Sequence, residues 1–390
     1  MIERPEKALL PAGLRDLLPP DAAFEAAAVE RLLESMAAFG YQRVKPPLLE
    51  FEDSLLAGSG AALADQAFRL MDPVSQRMLA VRPDMTMQVA RVAASRLSRA
   101  PRPLRLAYAG QVVRVRGSQL RPERQFTQVG AEIIGAPTPG ADAEVILMAV
   151  TALRDLGVTG LSVDLGVPTL VPALLGDGSH DPEAAAELRA ALDRKDTAAV
   201  RAMGPAVGET TASTLTDLVS ASGPAEAALS RLDGLRLPDA AAAERAVLKA
   251  VFDRIRAEAP DLTVTIDPVE SRGFEYHTGI TFTVFASGVR GELGSGGRYR
   301  AADGTGGEPA TGVSLFMDSI GRAFPPPKPP RMLFAPCGTA GTETTRLRAD
   351  GWIVVTGLVM AADPTAEARR LGCTHIVVDD DVQPLASEET

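Results

Sequence analysis

Aromatic residues are scarce in this chain. Trp, Tyr and Phe together make up 4% of its 390 residues. A core of ordinary size must therefore be filled with Leu, Val, Ile and much Ala, within an apolar content of 46%. Cysteine is nearly absent. Cys337 and Cys373 fit neither a Cys-x-x-Cys motif nor a disulfide framework, which predicts two reduced thiols in a cytosolic protein. His180, His277 and His375 lie far apart with no cysteine cluster beside them, so neither a zinc site nor any other cofactor is expected. No apolar run approaches the roughly 20 residues that cross a bilayer. The opening MIERPEK has no apolar segment of the kind a signal peptide needs. The expectation is a soluble cytoplasmic protein without a membrane partner. Positive charge is also short, with 40 Lys and Arg against 50 Asp and Glu and a net charge of −10. Non-specific nucleic-acid binding runs on cations that displace counterions. This balance argues against a tRNA or DNA partner and suits small molecules or another protein.

What is present predicts two or three domains, since the chain is too long for one compact core. After Pro19-Pro20, Phe24, Ala28, Leu32, Met36 and Phe39 recur at helical spacing; Asp21 is a candidate N-cap and Gly40 ends the run. Pro46-Pro47 followed by Leu48 to Phe51 reads as the lead-in to a strand. LRLAYAGQVVRV, the polar stretch Arg116 to Arg124, and FTQVGAEIIG predict an antiparallel hairpin over 102–135. Asp142 to Leu156 is helical and closed by Gly157. LSVDLG at 161–166 reads as a strand, and an Ala-rich helical insertion covers about 172–260. Strands return at 262–268 and 275–288. GELGSGGRYR at 291–300 reads as strand and then a tight glycine turn. ATGVSLFMDSIGRAF opens as a strand and continues as a helix. PPPKPP at 325–330 is a stiff linker between a body spanning 1–324 and a unit of βαβαβ pattern over 331–390. That last unit carries five basic and nine acidic residues, a poor surface for RNA. Antiparallel strands and helices around a helical insertion make the body α+β.

Four segments carry candidate chemistry. In VRPDMTMQ, Asp84 and Thr86 share a face if the backbone is extended, and such a pair accepts hydrogen bonds from an ammonium group; a solvated loop end reads the same way. In the hairpin, Arg114 lies among apolar residues and needs an anionic partner. Gln128 and Glu132 alternate on one face of the returning strand and can meet it, either as a pocket or as a structural Arg–Glu pair. SRGFEYHTG places Arg272, Tyr276 and His277 beside a glycine that permits close approach, a pattern that ordinary hairpins also contain. The glycines of GSGGRYR match neither a P-loop nor a dinucleotide fingerprint.

Taken in order and spacing, these segments resemble the catalytic core of histidyl-tRNA synthetase, a class II aminoacyl-tRNA synthetase. The resemblance runs from about Pro11 (PAGLRDLLPPDA) to about Phe324. RQFTQVGAEIIG is similar to the second class-defining motif, SRGFEYHTG to the histidine-specific segment, and GSGGRYR to a Gly-Gly-Arg-Tyr-Asp turn. The resemblance implies an antiparallel sheet flanked by helices and an ancestral histidine pocket. In it Asp84 and Thr86 hold the ammonium, and Gln128 and Glu132 complete the polar wall. Arg114 meets a carboxylate or phosphate, Arg272 is the histidine-specific arginine, and Tyr276 contacts the imidazole.

Departures from the synthetase pattern carry the functional reading. Asp84 replaces a glutamate, His277 replaces a second tyrosine, and Arg300 replaces the aspartate of the glycine turn. Arg116 stands where a glutamate reads adenine. Asp318-Ser319 replaces Glu-Arg, removing a cation that packs on ATP. Losing one oriented donor typically costs about 10²–10³ in rate, so adenylation is not expected. A synthetase-like chain with these losses resembles the ATP phosphoribosyltransferase regulatory subunits. The resemblance implies a non-catalytic role, a short catalytic chain as partner, a homodimer within a hetero-oligomer, and histidine as feedback effector. It also implies that the two chains together perform the first step of histidine biosynthesis, joining ATP to phosphoribosyl pyrophosphate, with this chain required for it but doing no chemistry itself. Two rivals stay open: an enzyme activating an amino acid for another target, which pyrophosphate exchange would reveal, and a stand-alone histidine-binding module, which co-purification would exclude.

Overall fold

The computed structural model describes residues 10–117, 121–176, 181–270, 276–301, 307–324, 331–379 and 381–385. The chain forms two compact units, Met1–Pro325 and Pro326–Thr390. The Pro-rich stretch 325–330 lies outside the described residues.

In the first unit the strands are β1 (Gln42–Arg43), β2 (Leu49–Phe51), β3 (Arg69–Met71), β4 (Met78–Val81), β5 (Leu104–Val113), β6 (Gln125–Ile134), β7 (Leu161–Gly166), β8 (Gly223–Pro224), β9 (Thr263–Asp267), β10 (His277–Ala286), β11 (Gly294–Ala301) and β12 (Glu308–Phe316). Nine of them make one sheet in the order β1-β5-β6-β12-β11-β10-β7-β9-β8. Its centre, β5-β6-β12-β11-β10-β7, is antiparallel throughout. This is the α+β architecture that the sequence led us to expect of the body. β2, β4 and β3 form a separate three-stranded sheet.

The expected hairpin is β5 paired with β6 over ten residues each. Every residue of β6 after Gln125 is buried, because helices cover one face and the helix Thr86–Ser95 and its approach cover the other. The helix Pro139–Leu156 starts where the Thr138 hydroxyl accepts from the Ala141 amide (3.3 Å) and stops at Gly157 with φ +95°. The helix Asp21–Ala38 buries Ala28, Leu32, Leu33 and Met36. Its start differs from expectation: Pro20 holds the cap position, Asp21 is already the first helical residue, and no side chain caps it.

The glycine run also differs from expectation. Gly294 to Arg300 is strand β11, with no turn within it, paired with β12 from Gly294↔Leu315 to Ala301↔Glu308. The glycines are needed for closeness of packing: a Cβ on Gly296 would collide with the Gly312 carbonyl and lie 2.7 Å from Phe282 Cζ. Seven helices lie between Leu170 and Glu258 among the described residues, and they pack on the β7–β9 side.

The second unit contains β13 (Met332–Ala335), β14 (Ile353–Thr356), β15 (His375–Val378) and β16 (Asp381–Pro384) in the order β14-β13-β15-β16. The first three are parallel and the helices Gly341–Ala349 and Pro364–Arg370 make the crossovers, while the edge strand β16 is antiparallel. No helix among the described residues is long and apolar enough to cross a membrane.

Candidate functional site

Residues 128, 130 and 132 alternate onto one face of β6. Gly130 leaves room for the Tyr108 ring, which comes across from β5, because a Cβ there would strike the phenol. On the β12 side Gly312 stands opposite Glu132, and a Cβ on it would collide with Glu132 Oε2. Two glycines thus make space for a tyrosine and a carboxyl side by side inside the sheet layer.

Glu132 is 1% exposed and Gln128 is fully buried. Glu132 Oε1 accepts from the Tyr108 hydroxyl at 2.9 Å, and Oε2 accepts from the Tyr299 hydroxyl at 3.0 Å. Tyr108 Oη lies 3.1 Å from Thr86 Oγ1. Gln128 Nε2 donates to Asp84 Oδ2 (2.9 Å) and Ser314 Oγ (2.7 Å), while its Oε1 accepts from the Met85 amide (2.9 Å). Asp84 Oδ1 accepts from the Thr86 amide at 2.7 Å. Asp84, Thr86, Gln128 and Glu132 therefore belong to one connected polar cluster, as buried polar groups require. Burial pushes the Glu132 carboxyl up to about 8, against the pull of the two tyrosine hydroxyls. The same burial pushes the Tyr108 and Tyr299 phenols well above their ordinary range.

The local structure departs from the sequence reading in two ways. Asp84 and Thr86 are not on a strand: Asp84 sits in the loop after β4, and Thr86 opens the helix Thr86–Ser95, so their relation is that of a carboxylate to a helix N-terminal amide. Arg114 does not meet Glu132. It lies one residue past the end of β5, with Nε 3.3 Å from the Pro83 carbonyl and its guanidinium 5.2 Å from the Phe126 ring centre. Burial lowers its pKa, with the Asp84 charge opposing that shift. Glu132 takes tyrosine hydroxyls where an arginine was expected.

His277 is buried at the head of β10 opposite Tyr299, and Tyr276 precedes it at 39% exposure, the two rings 4.0 Å apart. The Tyr276 ring centre is 6.4 Å from that of Tyr299, so the aromatic pair borders the carboxyl cluster. Arg272 lies outside the described residues. Tyr108, Tyr299 and Ser314 were not singled out from the sequence. Tyr299 stood within a quoted motif, and the Leu106–Tyr108–Gly110 alternation on β5 was the available signal for Tyr108.

Beside this cluster, Asp65, Gln66, Arg114, Arg116, Arg121 and Glu123 line a cleft of about 510 Å³. Arg121 lies 3.6 Å over the Phe316 ring, donates to Glu292 Oε1 (2.9 Å), and comes 3.3 Å from Asp318 Oδ2. Ser319 is buried and its Oγ accepts from Arg322 Nη2 at 3.3 Å.

Residues 13–320 match the histidyl-tRNA synthetase family model. The chain is 56% identical over 375 residues to an ATP phosphoribosyltransferase regulatory subunit of Paramagnetospirillum magneticum, covering 96% of this chain and 97% of the relative. A protein of the same name from Rhodospirillum centenum is 54% identical, with 98% and 97% covered. This chain belongs to the ATP phosphoribosyltransferase regulatory subunit family. A Bacillus halodurans structure described as an ATP phosphoribosyltransferase regulatory subunit/histidyl-tRNA synthetase superposes with a TM-score of 0.81 at 27% identity, covering 94% of this chain and 97% of that one. Histidyl-tRNA synthetase of Nostoc superposes at 0.78 with 18% identity over 95% and 91%, a likeness of fold alone. Membership assigns the chain a regulatory, non-catalytic place in ATP phosphoribosyltransferase.

Proposed function

We propose that this chain is the histidine-sensing subunit of a two-component ATP phosphoribosyltransferase in the cytoplasm. It assembles with a short catalytic chain and carries no tRNA. The observation that carries the reading is the buried cluster of Asp84, Thr86, Gln128 and Glu132 inside a family whose members are named as regulatory subunits. Adenylation needs cations placed at the triphosphate as charge develops. Here position 319 is a buried serine and position 116 an arginine, while Asp84, Thr86, Gln128 and Glu132 remain joined in one polar cluster. The acidic balance of the second unit supports the absence of tRNA.

A homodimer is part of the proposal. The small sheet β2-β4-β3 leaves Leu49, Leu70, Met71 and Met78 exposed, and a groove of about 740 Å³ opens beside it between Val44 and Arg96. Exposed apolar surface of this kind marks an interaction face.

Feedback requires histidine to bind the inhibited form more tightly than the active form. Coupling free energies of this kind are typically about 1–3 kcal/mol, and they act both ways. Saturating the partner with its own substrates should therefore weaken histidine binding to the assembly by the same factor by which histidine weakens theirs. Calorimetric titration of the reconstituted complex, with and without those substrates, measures both factors. Equal factors of about 5–150 are expected; unequal or absent coupling would sink the reading.

A further inference from the structure

Pro46 and Pro47 carry no backbone N–H, so the segment they form cannot donate into a ladder and its carbonyls look to side chains for partners. Arg82 and Gln88 supply them. Arg82 Nη1 donates to the Pro46 carbonyl at 3.0 Å and to the Pro47 carbonyl at 3.4 Å, and its Nε donates to the Gln111 carbonyl of β5 at 2.8 Å. Gln88 Nε2 donates to the Pro47 carbonyl at 2.8 Å, and its Oε1 accepts from Arg82 Nη1 at 3.4 Å. Both side chains are buried, and Gly110 gives the guanidinium its room, because a Cβ there would collide with Arg82 Nη2. Three carbonyls from two separate segments thus share one guanidinium, a use that the rigid fork of arginine allows and the point charge of a lysine does not match.

Arg82 stands between the groove and the polar cluster. Pro46 and Pro47 line the groove of about 740 Å³, and so do Arg91 and Val92 of the helix Thr86–Ser95. Arg91 Nε also donates to Glu50 Oε2 at 2.9 Å across that lining. In the other direction the chain runs from Arg82 to Asp84, whose Oδ2 accepts from Gln128, and to Thr86, the first residue of the same helix. The backbone of Arg82 is fixed as well: its amide donates to the Leu48 carbonyl and its carbonyl accepts from the Val113 amide, both at 3.1 Å. One helix therefore begins in the cluster and lines the groove, and Gln88 and Arg82 clasp its approach to the proline segment.

We propose that Arg82 is a positioning residue that makes the groove lining and the polar cluster shift together, so that a ligand held at Asp84 and Thr86 and a second copy of this chain seated in the groove change one another's affinity. This rests on the two readings given above, that the cluster takes histidine and the groove a second copy, and it adds the coupling between them. A ligand that draws on Asp84 pulls on a segment whose other end is tied to Pro46 and Pro47, and coupling is carried by such contiguous contacts. Because coupling is reciprocal, one factor describes both directions.

Sedimentation of the full chain over a concentration series, without and with saturating L-histidine, measures that factor. The dimer dissociation constant of the wild type should change by about fivefold or more, and calorimetry with L-histidine above and below the dimerising concentration should return the same factor. Arg82→Lys keeps the charge but loses the fork, so the factor should fall below about twofold while the variant still dimerises and still binds histidine. Gln88→Met frees the helix from the Pro47 carbonyl and leaves Arg82 in place; it should lower the factor too, and it decides the case if Arg82→Lys does not fold. A merely structural role would lower the stability of both variants and leave the factor as it is. A wild-type dimer that binds histidine without any such change overturns the proposal and leaves both readings standing, and so does a factor that the variants retain. A chain that is monomeric at every concentration removes the self-association reading, and a dimer that does not bind histidine removes the histidine reading; either result takes the coupling with it.

Discussion

At the residue scale the site is built as much by glycines as by polar side chains. Gly130 admits the Tyr108 ring and Gly312 admits the Glu132 carboxyl, each at a distance no Cβ tolerates. Both are on extended backbone, so their role is clearance and not turn geometry. Gly312→Ala should therefore displace Glu132 from its tyrosine hydroxyls as well as overpack the sheet. A loss of about 1–3 kcal/mol is expected from overpacking alone, and more where a tyrosine hydroxyl is left unpaired. Chemical denaturation of the variant measures it, and a variant as stable as the wild type would show that the strands yield at this point. The partners of Glu132 were beyond reach of the sequence for the same reason. Tyr108 and Tyr299 lie 191 positions apart, and only the register of β5, β6, β12 and β11 brings both hydroxyls to one carboxyl. A carboxyl in a strand suggests an arginine partner by charge. Burial among phenols supplies a different solution.

At the scale of elements, legibility followed how local the determinants are. The β5–β6 hairpin, the helix closed by Gly157 and the alternating order of the second unit were readable, because short-range patterning and turn chemistry specify them. The run Gly294 to Arg300 was misread as a turn because glycine is the usual turn residue, while here neighbouring strands press too closely for a side chain at Gly294, Gly296 and Gly297. The strand β16 went unseen since its four residues gain their pairing only from β15. Asp84 illustrates an element boundary with two duties. Its Oδ1 accepts from the Thr86 amide and its Oδ2 from Gln128, so one carboxylate both satisfies a helix-terminal amide and holds a buried side chain of the polar cluster. Asp84→Ala should cost about 0.5–2 kcal/mol of stability in the absence of any ligand, the range for removing a helix N-terminal acceptor. Asp84→Asn keeps an acceptor for the amide and should recover most of it. A thermal or denaturant comparison of the two variants checks this; equal losses would mean that charge and not the hydrogen bond stabilises this terminus.

At the scale of the whole molecule the question is what the first unit does with its uncovered surface. The three-stranded sheet is too small to bury both its faces. β3 is exposed along its whole length, and Leu70 is 39%, Met71 54% and Met78 37% exposed. β4 is central and buries only Ala80, while Met71 and Met78 stand directly opposite each other in the ladder. Four apolar side chains on so short a sheet, Leu49 among them, lie beside the open groove between Val44 and Arg96, and they are the face assigned to a second copy of this chain in the proposed dimer. Placing a charge there should cost assembly without cost to the fold, because these side chains contribute little to the interior of one subunit. Met71→Glu combined with Met78→Glu, which share one face of the ladder, should therefore turn the proposed dimer into a monomer in sedimentation, with an unchanged circular-dichroism spectrum. A single substitution should instead give a concentration-dependent mixture, since each buried side chain contributes roughly 1.5–3 kcal/mol to such a contact. A double variant that sediments as a dimer at every concentration would place the self-association face elsewhere on the unit.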